Sequence, residues 1–224
     1  MPKLKPDTQR ARREHILDAA HRLFARGGFH ATTMQAICKE AGISPGALYV
    51  YFASKEDLIA GLCERDRAEF AERFAKLAEA SDFLDALQAL GEHYFIDESV
   101  DRQRFVIEMG IEATRNPRIA EIFMRVDRFC NDSFETLFAR LKEEGRIAPK
   151  TDIKTLARVF NVLGDGLFWR RAIAPDFDVR TTLPILVELT GSLLNPVADA
   201  KAAAKIPPDT AERTTKQKEK EARA

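Results

Sequence analysis

Residues 32–58 read TTMQAICKEAGISPGALYVYFASKEDL, and this stretch decides the fold. Thr32 and Thr33 are N-cap residue types, and Met34, Ile37, Cys38 and Ala41 follow at helical spacing. Gly42 ends that helix, because glycine takes a left-handed backbone at no steric cost. Ile43 plugs the space between helices, and Ser44 caps a second helix whose first turn carries Pro45. Leu48 and Phe52 make the buried stripe of that helix. Ser54 then caps a third helix, with Asp57 at the reciprocal capping position. A helix, a tight turn containing glycine and a second short helix form the helix-turn-helix pattern.

Upstream, Ile16, Ala19, Ala20, Leu23 and Phe24 recur three and four apart, which predicts a helix over Arg10–Arg26 stopped by Gly27 and Gly28. With helices over Met34–Ala41 and Pro45–Phe52 it encloses one small core of Leu17, Leu23, Phe24, Phe29, Ile37, Ile43, Leu48 and Phe52. Downstream, apolar positions at helical spacing predict helix four over Lys55–Leu77, helix five from Phe83 to Phe95, helix six over Arg102–Thr114 and helix seven from Pro117 to Glu144. Helix eight is expected from Asp152 to Ala172. Helix nine is expected over Val179–Leu194, with Pro184 either kinking it or moving its start. No stretch alternates as a strand does, so the expected class is all-α, with about nine helices. The expected layout is a flexible arm over 1–9, a DNA-binding head over 10–57, a larger domain over 58–197 and a disordered charged tail over 198–224. Helix four belongs to both folded parts and is their mechanical link.

The residues of the head resemble the N-terminal domain of the TetR family of bacterial transcriptional regulators. The resemblance rests on Ile16, Ala19, Ala20, Leu23 and Phe24, on Gly27, Phe29, Thr32 and Thr33, on Ile37, Ala41, Gly42 and Ile43, and on Gly46, Leu48, Tyr49, Phe52, Lys55, Glu56 and Leu58. It spans residues 10–60. Residues 108–123, EMGIEATRNPRIAEIF, resemble TetR-type proteins with a BetI-like C-terminal domain, a match too weak to name an effector.

That resemblance implies double-stranded operator DNA as a partner and helix three as the recognition helix. Ser44, Pro45, Gly46, Ala47 and Tyr49 lie at matching positions, as do Thr33 and Gln35 at the front of helix two and Lys55 at the start of helix four, a backbone contact. The side chains agree with this, because small residues let a helix sit deep in a major groove. Ala47, where the family often has Thr, offers only close approach or a thymine-methyl contact, and Tyr51, where many members have His, keeps a hydrogen bond but no charge. For Tyr49 and Tyr51, edge packing of the small core is the competing reading. Arg10, Arg12 and Arg13 either contact phosphate or form a solvated surface run.

The resemblance also implies a homodimer and an effector domain. The last two long helices are the expected interface, through Leu156, Phe160, Leu163 and Phe168 on helix eight and Leu186, Leu189, Thr190 and Leu193 on helix nine. Fifteen Phe against three Tyr and one Trp make the larger domain rich in rings, most of them core. Some faces add polar groups, and a mostly apolar wall with few polar groups is how small molecules are held. The candidate lining is Phe105, Glu108, Met109, Asp127, Asn131, Phe134, Asn161, Asp165 and Trp169, each with surface exposure or an internal hydrogen bond as the alternative. The effector, which is unidentified, is expected to release the operator from a repressor. The alternatives are an activator of the same fold and a helical interaction module without DNA binding.

A formal net charge of zero argues against coating nucleic acid by bulk charge, not against a specific reader. No apolar run spans a membrane, and no apolar segment follows the basic N-terminus as a secretory signal requires. Cys38, Cys63 and Cys130 are few and odd in number, which points to a reducing compartment, the cytoplasm. His15, His21, His30 and His93 form no metal motif, and no glycine-rich phosphate loop is present. Neither a cofactor nor an enzymatic activity is expected, and Cys130 is read as a small buried apolar residue rather than a redox sensor.

Overall fold

The computed structural model describes residues 6–174 and 176–197. It orders them as α1 (Pro6–Ala31), α2 (Met34–Glu40), α3 (Pro45–Tyr49), α4 (Lys55–Glu79), α5 (Phe83–Glu92), a π turn (His93–Asp97), α6 (Val100–Glu112), α7 (Pro117–Glu143), α8 (Ile153–Ile173) and α9 (Val179–Leu194). Among these residues the one extended pairing is a bridge between Ile147 and Pro196. The class is all-α, as the periodicity implies. The tail expected over 198–224 and the first five residues of the expected arm lie outside the described residues.

The caps are made by the predicted side chains. Thr33 accepts from the Ala36 N–H at 3.1 Å, Ser44 from Ala47 at 3.3 Å and Ser54 from Asp57 at 3.1 Å. Asn116 accepts from Arg118 and Ile119 ahead of Pro117, and Asp152 accepts from Thr155. Gly42 adopts φ +63.

Several boundaries differ from expectation. α1 starts at Pro6, so the part of the expected arm within the described residues is helix, and it continues past Gly27. Its break falls at Gly28, with φ 76 and ψ 175, after which one more turn carries Phe29 to Ala31. α3 stops at Tyr49, so Tyr51 and Phe52 follow it in a turn. α5 ends at Glu92 and widens into the π turn, a local irregularity that apolar spacing does not reveal. α6 begins two residues early because Ser99 caps it. Pro184 lies inside α9 and does not move its start, which Asp178 fixes by accepting from Arg180 and Thr181.

The head core forms as expected around Leu17, Phe24, Phe29, Ile37, Leu48 and Phe52, with Leu23 and Ile43 half-buried against it. His15 Nε2 lies 2.9 Å from the Ala41 carbonyl and ties the end of α2 to α1. This core is not confined to the head. Phe105 and Met109 of α6 and Ile119 and Ile122 of α7 belong to the same cluster. A second core centres on Phe134, whose ring lies 4.8 Å from Phe74 and 4.4 Å from Phe160, with Phe138 and Leu141 beside it. A third joins Leu167 of α8 to Leu183 and Val187 of α9.

The expected dimer residues divide. Leu156 and Thr190 are buried within the chain, Phe160 packs on the second core, and Leu163, Phe168 and Leu186 face a cavity. Of the eight, Leu189 and Leu193 are exposed. The outer stripe of α8 is instead Val159, Val162, Trp169 and Ile173, and that of α9 is completed by Ile185. Helical spacing marks apolar residues but does not tell an inner stripe from an outer one when both are apolar.

Candidate nucleic-acid interface

The outer side of α2 and α3 carries the small residues the sequence selects. Thr33, Gln35, Ser44, Pro45 and Gly46 are exposed, and Ala47 is half-buried. Two large side chains stand out from this surface: Tyr49, 54% exposed, and Val50, 79% exposed. Tyr51 takes the other course and packs half-buried against the head core.

The basic groups also separate. Arg12 is exposed and has no hydrogen bond or ion pair among the described residues. Arg10 is exposed and pairs with Asp7 at 3.4 Å. Arg13 is not a free basic group: it pairs with Glu64 at 2.9 Å and Glu14 at 3.3 Å, with its guanidinium 5.6 Å from the Phe52 ring centroid. Lys55 is also engaged within the chain. Its ammonium donates to the Phe29 carbonyl at 2.6 Å and sits 4.2 Å from the Phe29 ring centroid, inside the head.

Phe29 is therefore held from two sides. Its carbonyl is bound by Lys55 of α4, and its N–H donates to Glu108 Oε1 of α6 at 2.7 Å. Its ring stacks on Phe24, which stacks on Phe105 of α6. One turn further along α6, Glu112 lies 2.9 Å from His30 and pairs with Arg115. Burial works against the Glu112 charge, but hydrogen bonds from His30 and Arg115 outweigh it and hold the carboxyl below its usual range.

The opposite face of α6 looks elsewhere. Gln103, Val106, Ile107, Gly110 and Ile111 form one wall of a partly open cavity of about 550 Å³, lined by residues of α4 to α9. Of the residues expected to line such a pocket, Asp127, Phe134, Asn161, Asp165 and Trp169 do so. Asn131 supports from behind, accepting from Asn161 Nδ2 at 2.9 Å. Phe105, Glu108 and Met109 do not line it. They lie on the head side of α6, because both faces of that helix are apolar and sequence alone does not choose between them. The spacing also missed Arg102, Gln103 and Phe123 on the wall, and Tyr94, which the π turn carries there.

Cys130 lies on the cavity wall and Cys63 beneath the head. Burial pushes the Cys130 thiol up to about 12, helped by the charges of Asp127 and Asp165, and pushes Cys63 up to about 11. Neither thiol ionises appreciably near neutral pH. Iodoacetamide at pH 8 is expected to alkylate these two in the folded protein at least about tenfold more slowly than in urea, read by mass spectrometry. Comparable rates in both states would show that the thiols are open. Among the described residues no group of three or more His, Cys, Asp or Glu is placed to hold a metal ion, and no helix is long and apolar enough to cross a membrane.

The family model described as bacterial regulatory proteins, tetR family, matches residues 16–62, and that described as BetI-type transcriptional repressor, C-terminal, matches residues 83–195. The HTH-type transcriptional regulator UidR of Escherichia coli strain K12 is 29% identical over 162 residues, which cover 69% of this chain and 79% of that protein. The HTH-type transcriptional repressor KstR of Mycolicibacterium smegmatis is 30% identical over 198 residues, 81% of this chain and 89% of that protein. The structure of Salmonella enterica GusR superposes with a TM-score of 0.70 at 29% identity, covering 82% of this chain and 95% of that one.

Proposed function

Since the chain belongs to the TetR family of bacterial transcriptional regulators, we propose that it is a repressor that binds a palindromic operator as a homodimer and releases it when a small molecule fills the cavity between α4 and α9. The observation that carries the reading is the outer face of α2 and α3. Small exposed residues surround Tyr49 and Val50, and nothing else among the described residues covers them. Such a face enters a major groove, where Val50 meets thymine methyls and Tyr49 reaches the backbone through its hydroxyl. Arg10 and Arg12 add phosphate contacts that set register without reading sequence.

One reader this small has limited affinity, and two copies related by a twofold axis read two half-sites. The exposed apolar stripes of α8 and α9 supply the self-complementary surface that such a pair needs. Release then requires coupling between two sites. α6 provides it, with one face on the cavity and the other gripping Phe29 and His30 of the head. An occupant of the cavity displaces α6 and, through Glu108 and Glu112, retilts the heads.

Fluorescence anisotropy against the DNA upstream of its own gene, with scrambled DNA of equal length as control, tests this at about physiological salt. Two protomers per palindrome are expected, with Tyr49→Ala weakening binding about tenfold. If neither that DNA nor a selection from random duplexes yields a preferred site, the repressor reading fails.

A further inference from the structure

We infer that the cavity is built for a bulky organic cation, such as a lipophilic amine, a quaternary ammonium or a phosphonium. The inference rests on the cavity being the effector site, and it adds the charge of the occupant. The wall holds four carboxylates, Asp66, Glu98, Asp127 and Asp165, against two guanidiniums, Arg67 and Arg102. These charges are not distributed evenly. Arg102 bridges Asp66 at 3.0 Å and Glu98 at 3.1 Å, so both carboxylates at that end of the wall have a partner, and the trio keeps one net negative charge. Arg67 is exposed at the rim, with its guanidinium 5.6 Å from the Phe129 ring centroid.

Asp127 and Asp165 have no such partner. Among the described residues neither carboxylate makes an ion pair or a side-chain hydrogen bond, and burial, followed by the charge of Asp127, pushes the Asp165 carboxyl above its usual range. Half-buried Asp127 and exposed Asp165 are two unpaired carboxylates on the cavity wall, a site that a single positive charge relieves. The neutral polar groups point the same way. Gln103 is fully buried in the wall, its Nε2 donating to the Tyr94 carbonyl at 3.1 Å, while its Oε1 has no partner. The Tyr94 hydroxyl is also buried there without a partner. An amide oxygen accepts and a phenol oxygen can accept, so both suit a cation's polarised N–H or C–H groups. The rest of the wall is rings, including Phe70, Phe123, Phe160 and Trp169, whose faces attract cations and exclude water.

Trp169 is the one tryptophan of the chain and lines the cavity while remaining 46% exposed on the outer stripe of α8, so its fluorescence reports occupancy at a protein concentration where the oligomeric state is constant. The probes are tetraphenylphosphonium and tetraphenylborate, alike in size and apolar surface and opposite in charge, with neutral N-phenyl-1-naphthylamine as control. The phosphonium is expected to bind at least about tenfold more tightly than the borate. Asp127→Asn and Asp165→Asn are each expected to weaken the phosphonium about three- to tenfold and to leave the naphthylamine unchanged, which also shows that the variants are folded. Equal affinities for the two ions, a preference for the borate, or Asn variants that bind the phosphonium as well as the parent would overturn the inference. If only the naphthylamine binds, the cationic specificity falls and the effector cavity stands. If none of the three binds, both fall.

Discussion

Val162→Asp combined with Ile185→Asp is expected to convert the protein to a monomer and to weaken operator binding by about a hundredfold or more, without loss of helix content. Val162 is 66% exposed and Ile185 62%, so in the isolated chain either aspartate stays in water and its folding cost is small. In a twofold pair formed through these stripes, as proposed, the same positions would meet their counterparts, and each substitution would appear twice. Four carboxylates would then be desolvated without partners, at several kcal/mol each. The stripe around them is continuous: Val159, Val162, Trp169 and Ile173 recur along α8, and Ile185, Leu189 and Leu193 along α9. A monomer that exposed it would carry the kind of apolar patch that marks an interaction surface. The operator effect follows from valency, since a lone head gains nothing from a second half-site. Light scattering after gel filtration reads the mass, and anisotropy on the palindrome reads the affinity. A double variant that remains dimeric would place the interface elsewhere.

The head was legible because its signals are local. Thr33, Ser44 and Ser54 each announce a helix start within three residues of the N–H they accept from, and Gly42 announces a stop. Lys55 shows where that kind of reading ends. Its position at the start of α4 was visible, but its partner is a carbonyl 26 residues earlier, and no periodicity encodes that contact. The cavity was half legible for the same reason. Asp127, Phe134, Asn161, Asp165 and Trp169 reach it from α7 and α8, where an interrupted apolar face gave them away. On α6 the apolar residues occupy both faces, so Phe105 and Met109 were indistinguishable from Val106 and Ile107 until α1 was seen packed on one side. The π turn moved Tyr94 into the wall by a change in backbone pitch that side-chain spacing does not record.

Glu108→Ala is expected to free the head from α6, lowering stability by about 2 kcal/mol and operator affinity about tenfold, whereas Glu108→Gln is expected to restore most of both. The Phe29 peptide is the junction: its N–H is bound at 2.7 Å by a charged acceptor, and its carbonyl at 2.6 Å by the Lys55 ammonium. Charge-assisted bonds of this kind are stronger than neutral ones, and removing the carboxylate leaves the Phe29 N–H half-buried without its acceptor. The amide of Gln keeps an oxygen at nearly the same place, so shape and acceptor return while the charge does not. Gly28 is the neighbouring constraint. It holds φ +76, and a Cβ there would lie 2.7 Å from one Glu108 oxygen and 2.8 Å from the other, so Gly28→Ala should displace the carboxylate and imitate its removal. Hydrogen exchange at the Phe29 amide reads the bond itself, and a loss of about 2 kcal/mol corresponds to roughly thirtyfold faster exchange. Faster exchange in Glu108→Ala and Gly28→Ala, slow exchange in Glu108→Gln, and operator affinities in the same order would make this bond the link through which α6 holds the heads in register. Exchange unchanged in Glu108→Ala would instead assign the coupling to the Glu112–His30 pair one turn along.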